Sequence, residues 1–205
     1  MSPVERLVAD AAALGVPLSE DAARRLLELT GELELWNRRY NLTAIAPAAM
    51  VTHHLLDSLS IAPELAGTRI ADAGTGAGFP GLPLALVNPQ RHFTLIDSTL
   101  KKIRFVEHAA QLLGLGNVTA VHARLEQWEG APFDTVVARA LAPLPRLVQM
   151  VAPLCGPGTR LIAMKGQLPQ AEIAALPAPW RVSATRAIAV PGLAASRCVL
   201  TLVRG

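Results

Sequence analysis

The chain has 205 residues and a formal net charge of +3; 51% of its residues are hydrophobic, yet it holds only three Trp, four Phe and one Tyr. That length accommodates one α/β domain with a small appendage and a real core. No apolar run approaches the roughly 18–20 residues of a membrane span. The opening Met1-Ser2-Pro3-Val4-Glu5-Arg6 lacks a signal peptide's pattern, and Cys155 and Cys198 show no CxxC or other metal spacing, which points to a reducing, cytoplasmic setting without disulfides or a metal.

In chain order, residues 1–66 read as helical. Leu26, Leu29, Leu33, Trp36 and Tyr40 recur at spacings of three and four, one helical face. Ser19, followed by Glu20 and Asp21, supplies a cap and first-turn acids. Asn41-Leu42-Thr43 breaks the pattern, and Pro47 opens another helix over 47–63. From Thr68 short apolar runs alternate with longer mixed segments. Strands are expected over 69–73, 92–97, 118–122, 133–138 and 160–165, with helices over 80–87, 101–113, 144–154 and 170–176 between them. Two further strands fall near 181–188 and 198–204. The alternation predicts a doubly wound, mostly parallel, seven-stranded Rossmann-like sheet (residues 67–205) with an N-terminal helical extension (residues 1–66) packed on it. The short final connections predict an antiparallel edge strand. Charge is divided along the same line: residues 1–66 hold five Arg against nine Asp/Glu, residues 67–205 fourteen Lys/Arg against seven. The second segment therefore carries a positive field suited to an anionic partner such as RNA.

The junction after the first strand is the strongest chemical signal. Gly74, Gly76, Gly78 and Gly81 fall within eight residues, with Pro80 opening the next helix. Gly76-Ala77-Gly78-Phe79-Pro80-Gly81 fits the GxGxxG of dinucleotide sites. Asp72-Ala73-Gly74-Thr75-Gly76-Ala77-Gly78 fits the DxGxGxG of class I methyltransferases. Asp72 favours the second: a carboxylate repels a pyrophosphate and attracts the ammonium and sulfonium of S-adenosylmethionine. Unit charges about 4 Å apart interact by about 4 kcal/mol at an effective dielectric near 20. Asp97, 21 residues past Gly76 at the end of the second strand, suits the two ribose hydroxyls of either cofactor; a helix cap is its structural alternative. Leu125 and Glu126, after the third strand, lie where an adenine would sit.

These residues, with Trp36-Asn37-Arg38-Arg39-Tyr40-Asn41-Leu42-Thr43, His54-Leu55-Leu56-Asp57-Ser58, Phe93-Thr94-Leu95-Ile96-Asp97-Ser98, Ala138-Arg139-Ala140 and Leu161-Ile162-Ala163-Met164-Lys165-Gly166, make nearly the whole chain resemble the RsmG (GidB) family of bacterial 16S rRNA guanine-N7 methyltransferases. The resemblance implies a class I S-adenosylmethionine-dependent fold. It also implies the small ribosomal subunit or its assembly intermediate as partner, and cofactor contacts from Gly74, Phe79, Leu125, Glu126 and Arg139; the chain is expected to act as a monomer. Three positions depart from the family pattern: Ala138 and Leu141 stand where Ser and Phe are common, and Cys198 follows Arg197 where His is common.

Guanine N7 is an unprotonated ring nitrogen, so methyl transfer to it needs alignment rather than a general base. The segment after the fourth strand, Ala138-Arg139-Ala140-Leu141-Ala142-Pro143, lacks the Asp/Asn-Pro-Pro-aromatic motif of amino-group methyltransferases. Arg139, at the end of the fourth strand, is a candidate for the cofactor carboxylate, a phosphate or guanine O6, and Lys165, at the end of the fifth, is a candidate for phosphate contact. Lys101, Lys102 and Arg197 are further candidate RNA contacts. His53 and Asp57, four apart on a helix, read as a structural pair rather than a metal or acid–base pair.

Overall fold

The computed structural model describes residues 1–205. Helix α1 (Pro3–Ala13) starts at a capping box, in which Ser2 Oγ accepts from the Glu5 N–H at 3.2 Å and the Glu5 carboxylate accepts from the Ser2 N–H at 2.7 Å. Helix α2 (Glu20–Tyr40) begins at the expected cap, with Ser19 Oγ accepting from the Ala22 N–H at 3.1 Å. Its buried stripe is Ala23, Leu26, Leu29 and Leu33; Trp36 is partly buried and Tyr40 lies 37% exposed. The helix stops at Asn41, which takes the left-handed conformation with φ 49°, a role Asn tolerates at a helix end. The Asn37 side chain fixes the turn that follows: its Oδ1 accepts from the N–H groups of Leu42 and Thr43 at 2.6 and 2.9 Å.

The helix expected over 47–63 is broken into four pieces. A 3-10 turn (Pro47–Ala49) leads into a π-helical segment (Val51–Leu56), one α turn (Asp57–Leu59) and a second 3-10 turn (Ala62–Glu64). Pro63 has no N–H to offer the Leu59 carbonyl, which ends the regular helix.

Seven strands follow: β1 (Arg69–Ala73), β2 (His92–Asp97), β3 (Val118–His122), β4 (Phe133–Arg139), β5 (Cys155–Lys165), β6 (Trp180–Ile188) and β7 (Arg197–Arg204). Helices α3 (Gly81–Val87), α4 (Leu100–Leu112), α5 (Leu144–Met150) and α6 (Gln170–Ala174) make four of the five connections among the first six, and a 3-10 turn (Leu125–Gln127) lies between β3 and β4. The strands form one sheet in the order β3-β2-β1-β4-β5-β7-β6, with β1 to β5 parallel. The antiparallel strand is not at the edge, as the short final connections had implied. It is β7, inserted between β5 and β6 and antiparallel to both. A hairpin between β6 and β7 pairs locally, and its second strand then joins β5. The helix expected over 144–154 also stops early, at Met150, because Pro153 cannot donate to the Gln149 carbonyl.

Side chains alternate across the sheet. Ile70, Phe93, Leu95, Val137 and Ile162 join one core with α3 and α4, while Ala71, Val136, Leu161 and Ala163 join a second with Leu144, Leu147 and Val148 of α5. Leu7, Leu26, Leu33, Met50 and Leu55 belong to the first core, together with Phe93 and Phe105. The N-terminal helices therefore have no core of their own; they close one face of the sheet.

Candidate active site

At the carboxyl end of β1 the chain makes three left-handed glycine turns, with φ 69° at Gly74, 60° at Gly76 and 86° at Gly78. A Cβ at Gly74 would lie 2.6 Å from Leu141 Cδ1, so the loop approaches the segment after β4 as closely as a glycine allows. A Cβ at Gly76 would meet nothing within 4 Å, because that residue faces open space. The space is a cavity of about 280 Å³ bounded by the glycine loop, Phe79, Asp97, Lys102, Arg139 and Leu141.

Asp72 holds this loop from behind. It is fully buried, and its Oδ2 accepts from Thr75 Oγ1 at 2.6 Å and from the Gly81 N–H at 2.8 Å. Its Oδ1 is buried without a partner. Burial pushes its pKa up to about 6, against the opposing pull of the Thr75 and Gly81 hydrogen bonds. Asp72 does not line the cavity. The expected direct contact with a cationic ligand is thus replaced by two roles, organising the turn and placing a negative charge beneath it.

Asp97 faces the cavity. Its Oδ2 accepts from the Gly76 N–H at 3.0 Å and its Oδ1 from the Thr99 N–H at 2.8 Å, and Lys102 Nζ stands 3.8 Å from Oδ2. Each oxygen retains acceptor capacity toward a diol. The Thr99 bond forms a turn ahead of α4, whose N-cap is Thr99 itself and carries no side-chain cap, so Asp97 does not cap the helix. Leu125 is buried in the core, and Glu126 pairs with Arg146 at 3.1 Å. Neither lines the cavity, although Ala123 next to them donates its N–H to the Asp97 carbonyl at 3.2 Å. The expected Lys101–Lys102 patch also divides. Lys101 Nζ donates to the Tyr40 carbonyl at 2.7 Å, tying α4 to the end of α2, while Lys102 lines the cavity beside the glycine loop.

A second cavity, of about 370 Å³, adjoins the first; its walls include His53, Asp57, Arg139, Lys165 and Arg197. Arg139 and His54 border both. Arg139 Nη1 donates to the His53 carbonyl at 2.9 Å and to Asp57 Oδ2 at 3.1 Å. Its Nη2 lies 3.2 Å from His54 Nδ1, and its guanidinium carbon sits 5.9 Å from the Phe79 ring centre. A guanidinium only donates, so His54 Nδ1 accepts and Nε2 carries the proton that bonds Thr43 Oγ1 at 3.0 Å. Burial, then the charge of Arg139 and then that of His53, pull the His54 pKa down to about 3. The neutral ring stacks on Phe79, with centroids 4.5 Å apart. Arg197 Nε donates to Asp57 Oδ1 at 2.8 Å. Lys165 Nζ donates to the Ala142 carbonyl at 3.0 Å and pairs with Glu172 at 2.9 Å. Ala140, directly after Arg139, holds φ 51°, an uncommon conformation for a residue with a Cβ and one that concentrates at functional sites.

The pairing anticipated between His53 and Asp57 does not form. His53 Nδ1 bonds the Ala49 carbonyl at 3.2 Å, and Asp57 meets the two arginines instead. Sequence reasoning missed this double pairing and the His54–Thr43 contact. The one sequence signal was that His54 and Asp57 share a motif.

A seven-stranded sheet of this order, with a glycine loop after β1 and an acceptor carboxylate after β2, defines a class I S-adenosylmethionine-dependent methyltransferase. Solved structures share the fold: magnesium protoporphyrin IX methyltransferase from Synechocystis PCC 6803, with bound S-adenosylmethionine, superposes with a TM-score of 0.59 at 21% identity, covering 92% of this chain and 98% of that one. The family described as rRNA small subunit methyltransferase G (GidB) matches residues 22–200. Ribosomal RNA small subunit methyltransferase G of Alkalilimnicola ehrlichii is 48% identical over 92% of this chain and 86% of that protein. The protein of the same name from Azoarcus sp. is 46% identical over 98% and 96% respectively. This chain belongs to the GidB family. That membership sets aside the dinucleotide reading of Gly76–Gly81.

The residues present fit the methyl donor of this class. The glycine cradle leaves open space at Gly76, Asp97 offers acceptors to a ribose, and Lys102 and Arg139 offer donors to a carboxylate.

Proposed function

We propose that this chain methylates N7 of a guanine in 16S rRNA of the small ribosomal subunit or its assembly intermediate, acting as a monomer in the cytoplasm. The observation that carries the proposal is the pair of adjoining cavities sharing Arg139, one built for the methyl donor and the other walled by cationic donors. S-adenosylmethionine supplies an activated methyl group on a cationic sulfur. Around it, Gly74, Gly76 and Gly78 let the backbone approach, Asp97 accepts from the ribose, and Phe79 and Arg139 close the side toward the second cavity. Leu125 and Glu126, in the turn whose Ala123 N–H bonds the Asp97 carbonyl, would meet the adenine through their backbone.

The chain then has to align a lone pair, not remove a proton. His54 cannot serve as a base in this arrangement, because Nδ1 already accepts from Arg139 and Nε2 carries its proton. Arg139, Lys165 and Arg197 leave unused N–H groups for guanine O6 or flanking phosphates, and the positive balance of residues 67–205 draws RNA in. N7 in A-form RNA lies in a deep, narrow groove, so the target is an unpaired or flipped base. No helix is long and apolar enough to cross a membrane.

The test is mass spectrometry of small-subunit rRNA after incubation with the protein and a labelled methyl donor. The expected product is one labelled guanine carrying the methyl on N7. Label confined to ribosomal protein, or on an exocyclic nitrogen, overturns the proposal.

A further inference from the structure

Asp57 is the only carboxylate bordering the second cavity, and both of its oxygens are committed. Oδ2 accepts from Arg139 and Oδ1 from Arg197. The side chain is 4% exposed, so the pairing is shielded from solvent. The two arginines come from strands that are not neighbours, and the carboxylate comes from the turn after the π-helical segment. A single N-terminal residue therefore fixes the relative placement of two guanidinium groups across the strand ends.

The donor accounting shows what remains. Each guanidinium has five N–H donors. Arg139 spends three, on His53, Asp57 and His54; Arg197 spends two, on Asp57 and the Ser196 carbonyl. The remainder are available to an acceptor-bearing ligand. Two mobile arginines would bind RNA by charge alone. Two arginines each bonded to one oxygen of the same buried carboxylate present their spare donors in one geometry, which alignment of a particular atom requires.

We propose that Asp57 is a positioning residue for methyl transfer: it sets the orientation of Arg139 and Arg197 so that the RNA base is held against the methyl donor. This rests on the rRNA reading given above. Its consequence runs against simple electrostatics. Removing a negative charge from a cationic cleft should strengthen RNA binding, yet here it should slow the reaction.

The test compares the wild type with Asp57→Asn and Asp57→Glu. RNA binding is followed by fluorescence anisotropy, cofactor affinity by calorimetry, and kcat and KM by label transfer to small-subunit rRNA. Asp57→Asn keeps the shape but turns one acceptor into a donor facing a guanidinium. At saturating methyl donor its kcat should fall on the order of 100-fold, with RNA affinity equal or tighter; cofactor affinity should weaken as well, because Arg139 also borders the donor cavity. Asp57→Glu should recover part of kcat by restoring the charge. Unchanged turnover in Asp57→Asn overturns the inference, as does a loss confined to KM.

Should Asp57→Asn fail to fold, Arg197→Lys replaces it. This variant keeps the charge but loses the planar donor, so it should show the same fall in kcat; full activity would refute the geometric role. If wild-type protein leaves small-subunit rRNA unlabelled, the substrate reading fails by itself. The Asp57 pairing is then judged by the Arg197 Nε–H resonance, which should be protected from exchange in the wild type and lose that protection in Asp57→Asn. An unprotected wild-type resonance counts against it.

Discussion

Replacing Asp97 with Ala tests the cofactor site most directly. In the free protein its two oxygens accept from the Gly76 and Thr99 N–H groups, at 3.0 and 2.8 Å, and the carboxylate is 8% exposed. The substitution has two separable effects. It removes the acceptors offered to the ribose diol, and it frees the glycine loop from β2. A hydrogen bond to a charged group contributes about 1.5–3 kcal/mol, and an ordinary one about 1. If the ribose bonds replace water bonds at the net value, the Ala variant should bind S-adenosylmethionine about 1–3 kcal/mol more weakly, or roughly 5- to 150-fold in Kd. Asp97→Asn retains one carbonyl oxygen and should fall between the two. Calorimetric titration with S-adenosylmethionine reads Kd, and thermal unfolding without ligand reads the loss of the loop bonds. An Ala variant that stays folded and binds with wild-type affinity would refute the diol role. A variant that loses only thermal stability would leave Asp97 as a loop tether alone.

Three further outcomes follow from the geometry. Gly74→Ala places a Cβ against Leu141 Cδ1 in a left-handed turn; the conformation alone costs about 1–2 kcal/mol, so urea unfolding should show at least that loss, and Leu141→Ala in the same chain should recover the steric part. Asp72 is an acid whose pKa rises on folding, from 3.8 to about 6. Its contribution to stability is therefore greatest below the unfolded value and is lost as pH rises through the folded one, by on the order of 3 kcal/mol; the stability of the wild type relative to Asp72→Asn should fall between pH 4 and pH 7, and a constant difference in denaturant titrations would contradict the burial argument. His54, with its pKa near 3, should remain neutral and protonated on Nε2 at pH 5.5; nitrogen chemical shifts of an imidazolium at that pH would show the Arg139 contact to be absent.

Much of the fold was legible because its signals are local. The strand at 92–97 and the glycine turn each announce themselves in a few residues, and periodicity marks α2. What stayed hidden depended on partners distant in sequence. The end of the 47–63 helix follows from Pro63, which is visible, but nothing local in the sequence marks the π-helical winding before it, which packs against α1 and α2. The place of β7 was hidden for a similar reason. A short connection implies antiparallel pairing, but it does not say whether the hairpin's first or second strand joins β5. At the site, Asp97 was readable from its spacing to the glycines. Asp57 was not, since 82 and 140 residues separate it from Arg139 and Arg197. Lys101 and Lys102 show the limit of adjacency: neighbours on a helix point about 100° apart, and one reaches α2 while the other reaches the cavity.

The insertion of β7 has a consequence for the chemistry. Ligands of parallel sheets bind outside the carboxyl ends of the strands, and Arg139 and Lys165 stand at those ends of β4 and β5. An antiparallel strand contributes its first residue to that same edge. The register pairs Lys165 with Cys198, so Arg197 emerges level with the end of β5. Were β7 parallel, Arg204 would occupy this edge and Arg197 would lie at the opposite side of the sheet. The topology thus delivers three cationic side chains from β4, β5 and β7 to one rim, where mutual repulsion would spread them. The N-terminal segment supplies the carboxylate that counters this, Asp57, and the neutral ring of His54 that rests on Phe79 of the glycine loop. The helical extension is therefore part of the site: without it the donor cavity would lose a wall, and the two arginines their common reference point.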